Sequence, residues 1–444
     1  MKTTFISLLL TLLCWSTAYA APPDNLVYPD VMIHLHSSGV AHIVSTETDE
    51  LLASLPTAAG GTLGSVTPDA TKLYVGAAAA GQTRVTVIDL QNQTVVKTLD
   101  TGSRPKHPLV SPDGKMVIVN HWGLDNGKLR FSFIDTATDE VIQDVEVGVS
   151  DSAATKVASM HNSWSWDSKT AFGVDRIDNQ LVVIDTSDWS VIEKDLPSAP
   201  HYPVVSPDGK EIWVVVEGVD RDNRPGVVIF DLTDPTVPQI ARLDMPLIGE
   251  EVVEGHHGNF TRDGKYFMVA NRGGGDTKVG REIAFFDAKE KTLVRRLTTA
   301  SNGVGHAYLS PDGRHVFVTN YGNNVVTIID LENGICTVAD LEIGTGRMGH
   351  VAFTKDGRYA YVSNAADGNL FKVDMESFKV VKEIETGNAP GGGQVLNLWT
   401  NVFEDTLPPT SSNGGGGNGA LGAWLLAGLW IGGIVRRKRR AYRA

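Results

Sequence analysis

The sequence predicts an all-β protein, a β-propeller of eight blades with seven as the alternative, and three observations carry that expectation. A four-residue turn recurs as Thr67-Pro68-Asp69-Ala70, Ser111-Pro112-Asp113-Gly114, Ser165-Trp166-Asp167-Ser168, Ser206-Pro207-Asp208-Gly209, Thr261-Arg262-Asp263-Gly264, Ser310-Pro311-Asp312-Gly313 and Thr354-Lys355-Asp356-Gly357. Its fourth positions lie 44, 54, 41, 55, 49 and 44 residues apart, a period that fits one four-stranded blade per repeat. The flanking runs are short and dense in apolar and β-branched residues, as strands buried between neighbouring blades require.

In chain order, Lys2, the apolar run Phe5 to Trp15 and Ala18-Tyr19-Ala20 read as a signal peptide over residues 1–20. The propeller is expected over 21–405. Asp30 to His36, Val40 to Thr48 and Glu50 to Leu55 look like second, third and fourth strands without a first. Gly391 to Trp399 looks like a first strand without the others, so the two ends pair into one composite blade that closes the ring. The unit around Gly313 shows the full pattern: His306 to Leu309, His315 to Asn320, Val325 to Asp330 and Thr337 to Ile343. Proline at the second turn position presets φ and glycine at the fourth accepts a positive φ, so these turns have a conformational cause.

A Pro/Ser/Gly-rich linker follows at 406–418, then a hydrophobic span at 419–435 and a basic tail at 436–444. The span is short for a bilayer, and the basic block should stay cytoplasmic. The layout of Gly414 to Gly417, a hydrophobic span and arginines resembles the GlyGly-CTERM sorting signals of Gram-negative bacteria. That resemblance implies a sorting protease as partner and a cell-surface or periplasmic destination. A permanent membrane anchor is the alternative.

The net charge is −13, and setting aside Lys2 and the six basic residues from Arg436 onward leaves 21–435 at −20. Such acidity argues against nucleic acid as a partner. Removing the leader with Cys14 leaves Cys336 alone. No internal disulfide, no Cys-x-x-Cys-His attachment of a c-type haem and no two-cysteine copper site can then form.

Strands such as Val316-Phe317-Val318-Thr319-Asn320, Tyr359 to Asn364 and Met116 to Asn120, each beside its turn, resemble the YVTN-repeat β-propellers. That group is related in fold to the propellers of nitrous oxide reductase and of cytochrome cd1. The resemblance covers roughly residues 25–405, is specific for fold and nearly silent on activity.

Seven residues before the turn's fourth position stand His107, His161, His257, His306 and His350, with His201 and His256 one residue earlier. In a propeller this phase lies on the first strand, beside the axis at the rim opposite the turns. The first unit has Leu63 there, so the histidines form an arc and not a ring. Imidazole without thiolate points to copper or iron, and the resemblance supplies a precedent in the histidine-held copper of nitrous oxide reductase. Capping of neighbouring loops and proton handling are the competing roles. Ends of second strands should reach the same rim, which makes Arg272, Arg176, His36 and His121 candidates for binding cofactor carboxylates or an anion.

The combined expectation is an exported, anchored propeller whose axial histidines hold a metal or metal cofactor, with redox chemistry if it is an enzyme. The alternative is a scaffold that binds a protein or glycan partner through its rim loops.

Overall fold

Each repeated turn is closed by its own side chains. At 310–313 the Gly313 amide donates to the Ser310 carbonyl (2.8 Å), the Ser310 hydroxyl to Asp312 Oδ1 (2.5 Å), and the Arg314 amide to the same carboxylate (3.0 Å). Gly313 adopts φ +73°, and the equivalent Ala70 and Ser168 reach +61° without being glycine. The aspartate holds the geometry that glycine makes cheap elsewhere.

The computed structural model describes residues 31–218, 224–245, 254–272, 280–386 and 391–396. Leader, linker, hydrophobic span and basic tail lie outside the described residues, and no described helix is long and apolar enough to cross a membrane. The described strands form eight four-stranded antiparallel sheets. Seven are consecutive in sequence: blade 1 from Gly64, blade 2 from Pro105, blade 3 from Ser163, blade 4 from Pro200, blade 5 from Gly255, blade 6 from Val304 and blade 7 from Met348. The eighth is composite. Gly392–Leu396 supplies its first strand and pairs with Val31–His36, followed by Val40–Ser45 and Leu51–Pro56. The expected count of eight and the expected closure are both found.

Second and third strands are buried on both faces, as at Val316–Thr319 and Val325–Asp330. They pack blade against blade: Phe317, Val326 and Ile328 of blade 6 meet Val351, Phe353 and Val362 of blade 7. Burial of such a side chain contributes about 1.5–3 kcal/mol. Fourth strands face solvent and alternate instead, as in Glu140–Gly148.

First strands share an irregularity that the repeat does not announce. Their pairing with the second strand slips between Pro105 and His107, Pro200 and Tyr202, Gly255 and Gly258, Val304 and Ala307, and Met348 and Val351. Each slip is a β-bulge, which redirects a side chain. The rim histidines of blades 2, 4, 5, 6 and 7 all sit within or at the edge of one.

Candidate metal or cofactor centre

The bulge frees a backbone amide, and the second strand recaptures it. The His107 amide donates to Asn120 Oδ1 (3.1 Å), that of His306 to Thr319 Oγ1 (3.2 Å) and that of His350 to Ser363 Oγ (2.8 Å). The strand-end asparagine of blade 2 thus anchors a histidine. That of blade 7 caps its turn, with Asn364 Oδ1 accepting from the Ala366 amide (2.9 Å).

All seven rim histidines line one axial cavity of about 700 Å³. Their rings form a continuous arc: His107 to His161 at 5.1 Å between centroids, His161 to His257 at 4.6 Å, His257 to His306 at 3.8 Å and His306 to His350 at 4.6 Å. His201 and His256, 4.2 Å apart, stand behind His257. The doubled histidine of blade 5 therefore fills the centre of the arc and its back wall.

Three constellations bring ligand atoms within 4.8 Å of one another: His161, His201 and His257; His256, His257 and His306; and His201, Glu254 and His256. Burial drives every rim imidazole toward its neutral form. His107 and His350 fall to about 3, with Lys106 and the neighbouring cations adding to the effect. His201 falls only to about 4, because Glu217 opposes the burial. His161, His256, His257 and His306 lie well below the ordinary 6.5 through burial and one another's charge. Neutral imidazoles with free lone pairs are the ligand form.

Several rings are oriented from behind. His201 Nδ1 lies 2.8 Å from Glu217, His306 Nδ1 lies 2.8 Å from the Tyr321 hydroxyl, and His350 Nδ1 lies 2.6 Å from the Tyr308 hydroxyl. His201 Nε2 and His256 Nδ1 are buried without a hydrogen-bond partner. Buried polar atoms are seldom left so, and two in one cavity mark a place for a ligand.

The candidate second-strand residues divide. Arg272 lines the cavity but is paired with Glu254 and also donates to His256 Nε2 (3.3 Å). Arg176 is held by both oxygens of Glu217 (2.6 and 2.8 Å) and does not line the cavity. Its role is to fix Glu217, which stays down at about 2 despite burial because His201 and Arg176 bind it. His121 also points elsewhere, toward the Arg130 carbonyl (3.0 Å) and Thr101 Oγ1 (3.4 Å). His36 is not among the lining residues, and its Nδ1 faces Ser38 Oγ at 2.6 Å.

Sequence reasoning missed the cations that do line the mouth. Arg104 and Arg347 reach it from the residue before a first strand, and Lys106 from within one. Lys106 Nζ bonds Thr62 Oγ1 (2.6 Å) and lies 4.5 Å above the Trp122 ring; Arg104 lies 5.3 Å above the same ring, and Arg347 lies 4.4 Å above Tyr321. None of the three has an ion-pair partner among the described residues. Burial, with Arg347 and Arg104 nearby, pulls Lys106 down to about 8. Arg104 and Lys106 are half-buried and Arg347 is exposed, and together they present positive charge at the mouth that suits an anion. Their shared place just before a histidine was the available signal: Arg104-Pro105-Lys106-His107 and Arg347-Met348-Gly349-His350.

The family model of the cytochrome D1 heme domain matches residues 282–397, which run from blade 5 into the composite blade. No curated protein matches the chain. Among solved structures, dihydro-heme d1 dehydrogenase NirN in complex with DHE is similar at 18% identity and TM-score 0.66, over 84% of this chain and 76% of that one. Kuenenia stuttgartiensis hydrazine synthase is similar at 18% and 0.51, over 74% and 99%. Apo AztD from Citrobacter koseri is similar at 13% and 0.59, over 82% and 96%. The chain shares the β-propeller fold with these proteins, and its residues 282–397 match the cytochrome D1 heme domain model. The comparisons also correct the cofactor expectation: where the sequence suggested a copper or iron ion and no c-type haem, the match to a haem-domain model points to a haem-type group.

Proposed function

We propose that the axial mouth binds a metal-bearing tetrapyrrole of the haem class, held without covalent attachment. The observation that carries the reading is the pairing of a neutral imidazole arc with three cations that have no carboxylate partner among the described residues, all lining one cavity. A cavity of about 700 Å³ is within the usual range for a bound organic cofactor. The chemistry of the donors fits as well. His257 or His306 would supply an imidazole nitrogen to the metal, while Arg104, Lys106 and Arg347 would meet acidic groups, and Trp122, Tyr202 and Tyr308 would offer flat contact. Tyr321 and Glu217 act through the histidines they orient. When bound, the group supplies one-electron chemistry, and the protein supplies ligation, charge and exclusion of water.

The leader over 1–20 and the tail from 406 onward support export and anchoring at a membrane or surface, with a sorting protease as partner. The span at 419–435 requires detergent in any preparation of the full chain.

The test is titration of the full chain with haemin, followed by absorption. Saturable binding near one equivalent is expected, lost in His257→Ala with His306→Ala and weakened at least tenfold in Lys106→Met. Absence of a saturable spectral change overturns the reading. A second reading has its own support: the triad His161, His201 and His257, with ligand atoms within 4.8 Å, suits a directly bound d¹⁰ cation such as zinc. Zinc retained at the mouth, with no uptake of haemin, would favour it.

A further inference from the structure

Where the histidine arc leaves a gap, at blade 1 and the composite blade, small residues line the mouth: Gly60, Thr62, Ala78, Ala79, Gly392 and Gly393. Lys106 projects into the cavity beside them, turned toward the axis by the slip in pairing between Pro105 and His107. Its Nζ donates to Thr62 Oγ1 at 2.6 Å and lies 4.5 Å from the centre of the Trp122 ring. Arg104 lies 5.3 Å from the same ring, and the charges of Arg104 and Arg347 both act on Lys106.

Three like charges so placed repel one another, and two of them are permanent. An arginine keeps its proton at any physiological pH, whereas a lysine can lose one. Lys106 is therefore the member of the cluster that can change its charge, and burial with the two guanidiniums already holds it down to about 8. The neutral amine is a nucleophile toward carbonyl carbon. On an ordinary surface lysine an adduct with carbon dioxide does not persist, because the amine is nearly always protonated and nothing meets the new anion. At Lys106 two guanidiniums are at hand to meet it, and the small residues leave room for an added carboxyl group. Trp122 Nε1, buried and without a hydrogen-bond partner among the described residues, adds a donor at the edge of the ring that Lys106 covers.

We propose that Lys106 is a carbamylation site: its amine adds dissolved carbon dioxide, and Arg104 and Arg347 hold the carbamate. The nitrogen lone pair forms a bond to the carbon, one C=O electron pair moves onto oxygen, and the nitrogen gives one proton to water. Nothing is oxidised or reduced. Lys106 passes from a positive to a negative charge, which turns mutual repulsion in the cluster into attraction. The modification needs no other ligand in the mouth. Its consequence rests on the reading of that mouth as the seat of an acidic tetrapyrrole: a carbamate takes the guanidiniums such a ligand needs, so carbon dioxide competes with it.

In the experiment the full chain in detergent is equilibrated at about pH 8 with isotopically labelled bicarbonate. Triethyloxonium ion then fixes any carbamate as its ethyl ester, and the digested chain is read by mass spectrometry. Labelled carboxyl is expected on Lys106 and not on the exposed Lys115 and Lys169. It should fall roughly tenfold in Arg104→Gln with Arg347→Gln. Label on Lys106 no greater than on those two lysines overturns the proposal, and so does undiminished label in the double variant. The carbamate carbon resonance of the unaltered chain, read by nuclear magnetic resonance, tests the site without alkylation or substitution, and its absence is equally decisive against it. Haemin affinity of the unaltered chain should be roughly tenfold lower in bicarbonate than in chloride at equal pH and ionic strength. Equal affinities overturn the competition, whereas failure of haemin to bind in either buffer overturns the tetrapyrrole reading and leaves the label on Lys106 to decide the modification.

Discussion

The two ends of this propeller are built from the same repeat and treat polar groups in opposite ways. At the turn end, serine, aspartate and a residue of positive φ satisfy one another within four positions, as at Ser310 to Gly313. At the mouth end, His201 and His256 keep buried nitrogens without partners among the described residues, and Arg104, Lys106 and Arg347 gather without a carboxylate among them. The difference teaches where folding stops and function starts. A local network that closes on itself stabilises the blade, whereas buried groups left open lower stability and are explained by a ligand.

Acid should break the comparison most strongly. His107, His350 and His201 have folded values near 3, 3 and 4 against an ordinary 6.5, so the unfolded chain takes up protons first. Their effect on stability is absent above about pH 6.5 and grows as pH falls toward 4. Each such group should remove up to about 1.4 kcal/mol per pH unit over that window. Denaturant unfolding of the ligand-free protein at pH 7 and pH 5 measures it, and equal stabilities would mean that the mouth is wetter than its burial implies.

Next in size, replacing His257 and His306 by alanine should lower ligand affinity at least 100-fold, about 3 kcal/mol. The ligand-free thermal transition should stay nearly unchanged, because both side chains line the cavity; a collapse of folding would return these histidines to a capping role. Lys106→Met should weaken an anionic ligand by about 1.5–3 kcal/mol. In the unaltered chain the same contribution should fade as pH rises through about 8, where Lys106 loses its proton. Affinity measured from pH 7 to 9 sees both. The smallest change belongs to the other end. Gly313→Ala forces a side chain onto φ +73° and brings its Cβ to 3.1 Å from Arg262, costing about 1–2 kcal/mol of stability and leaving ligand affinity untouched.

The blades were legible because their causes are local. Ser-Pro-Asp-Gly makes its turn from four residues, and the runs around it alternate or stay apolar according to whether a strand is outer or inner. The arc was legible for a related reason, since symmetry turns a fixed offset from the turn into a fixed place at the rim. The contents of the mouth were less so. Arg176 and Arg272 were equal candidates by position, yet Glu217 takes one out of the cavity and Glu254 holds the other at its wall. Lys106 drew no notice, because a cation beside a histidine on a β-strand would ordinarily face the other way. The bulge between Pro105 and His107 breaks that alternation and brings Lys106 to the axis.

The sequence by itself determined the all-β fold, the eight-blade count, the pairing of Val31–His36 with Gly392–Leu396, and the seven histidines at one rim. Each depends on the spacing of a repeat, which a one-dimensional record preserves in full. Tertiary structure alone decided which charges are paired and which ring nitrogens are bare. Those properties depend on distances between side chains from different blades, down to 0.5 Å or less in a hydrogen bond, and repeat spacing carries no such information.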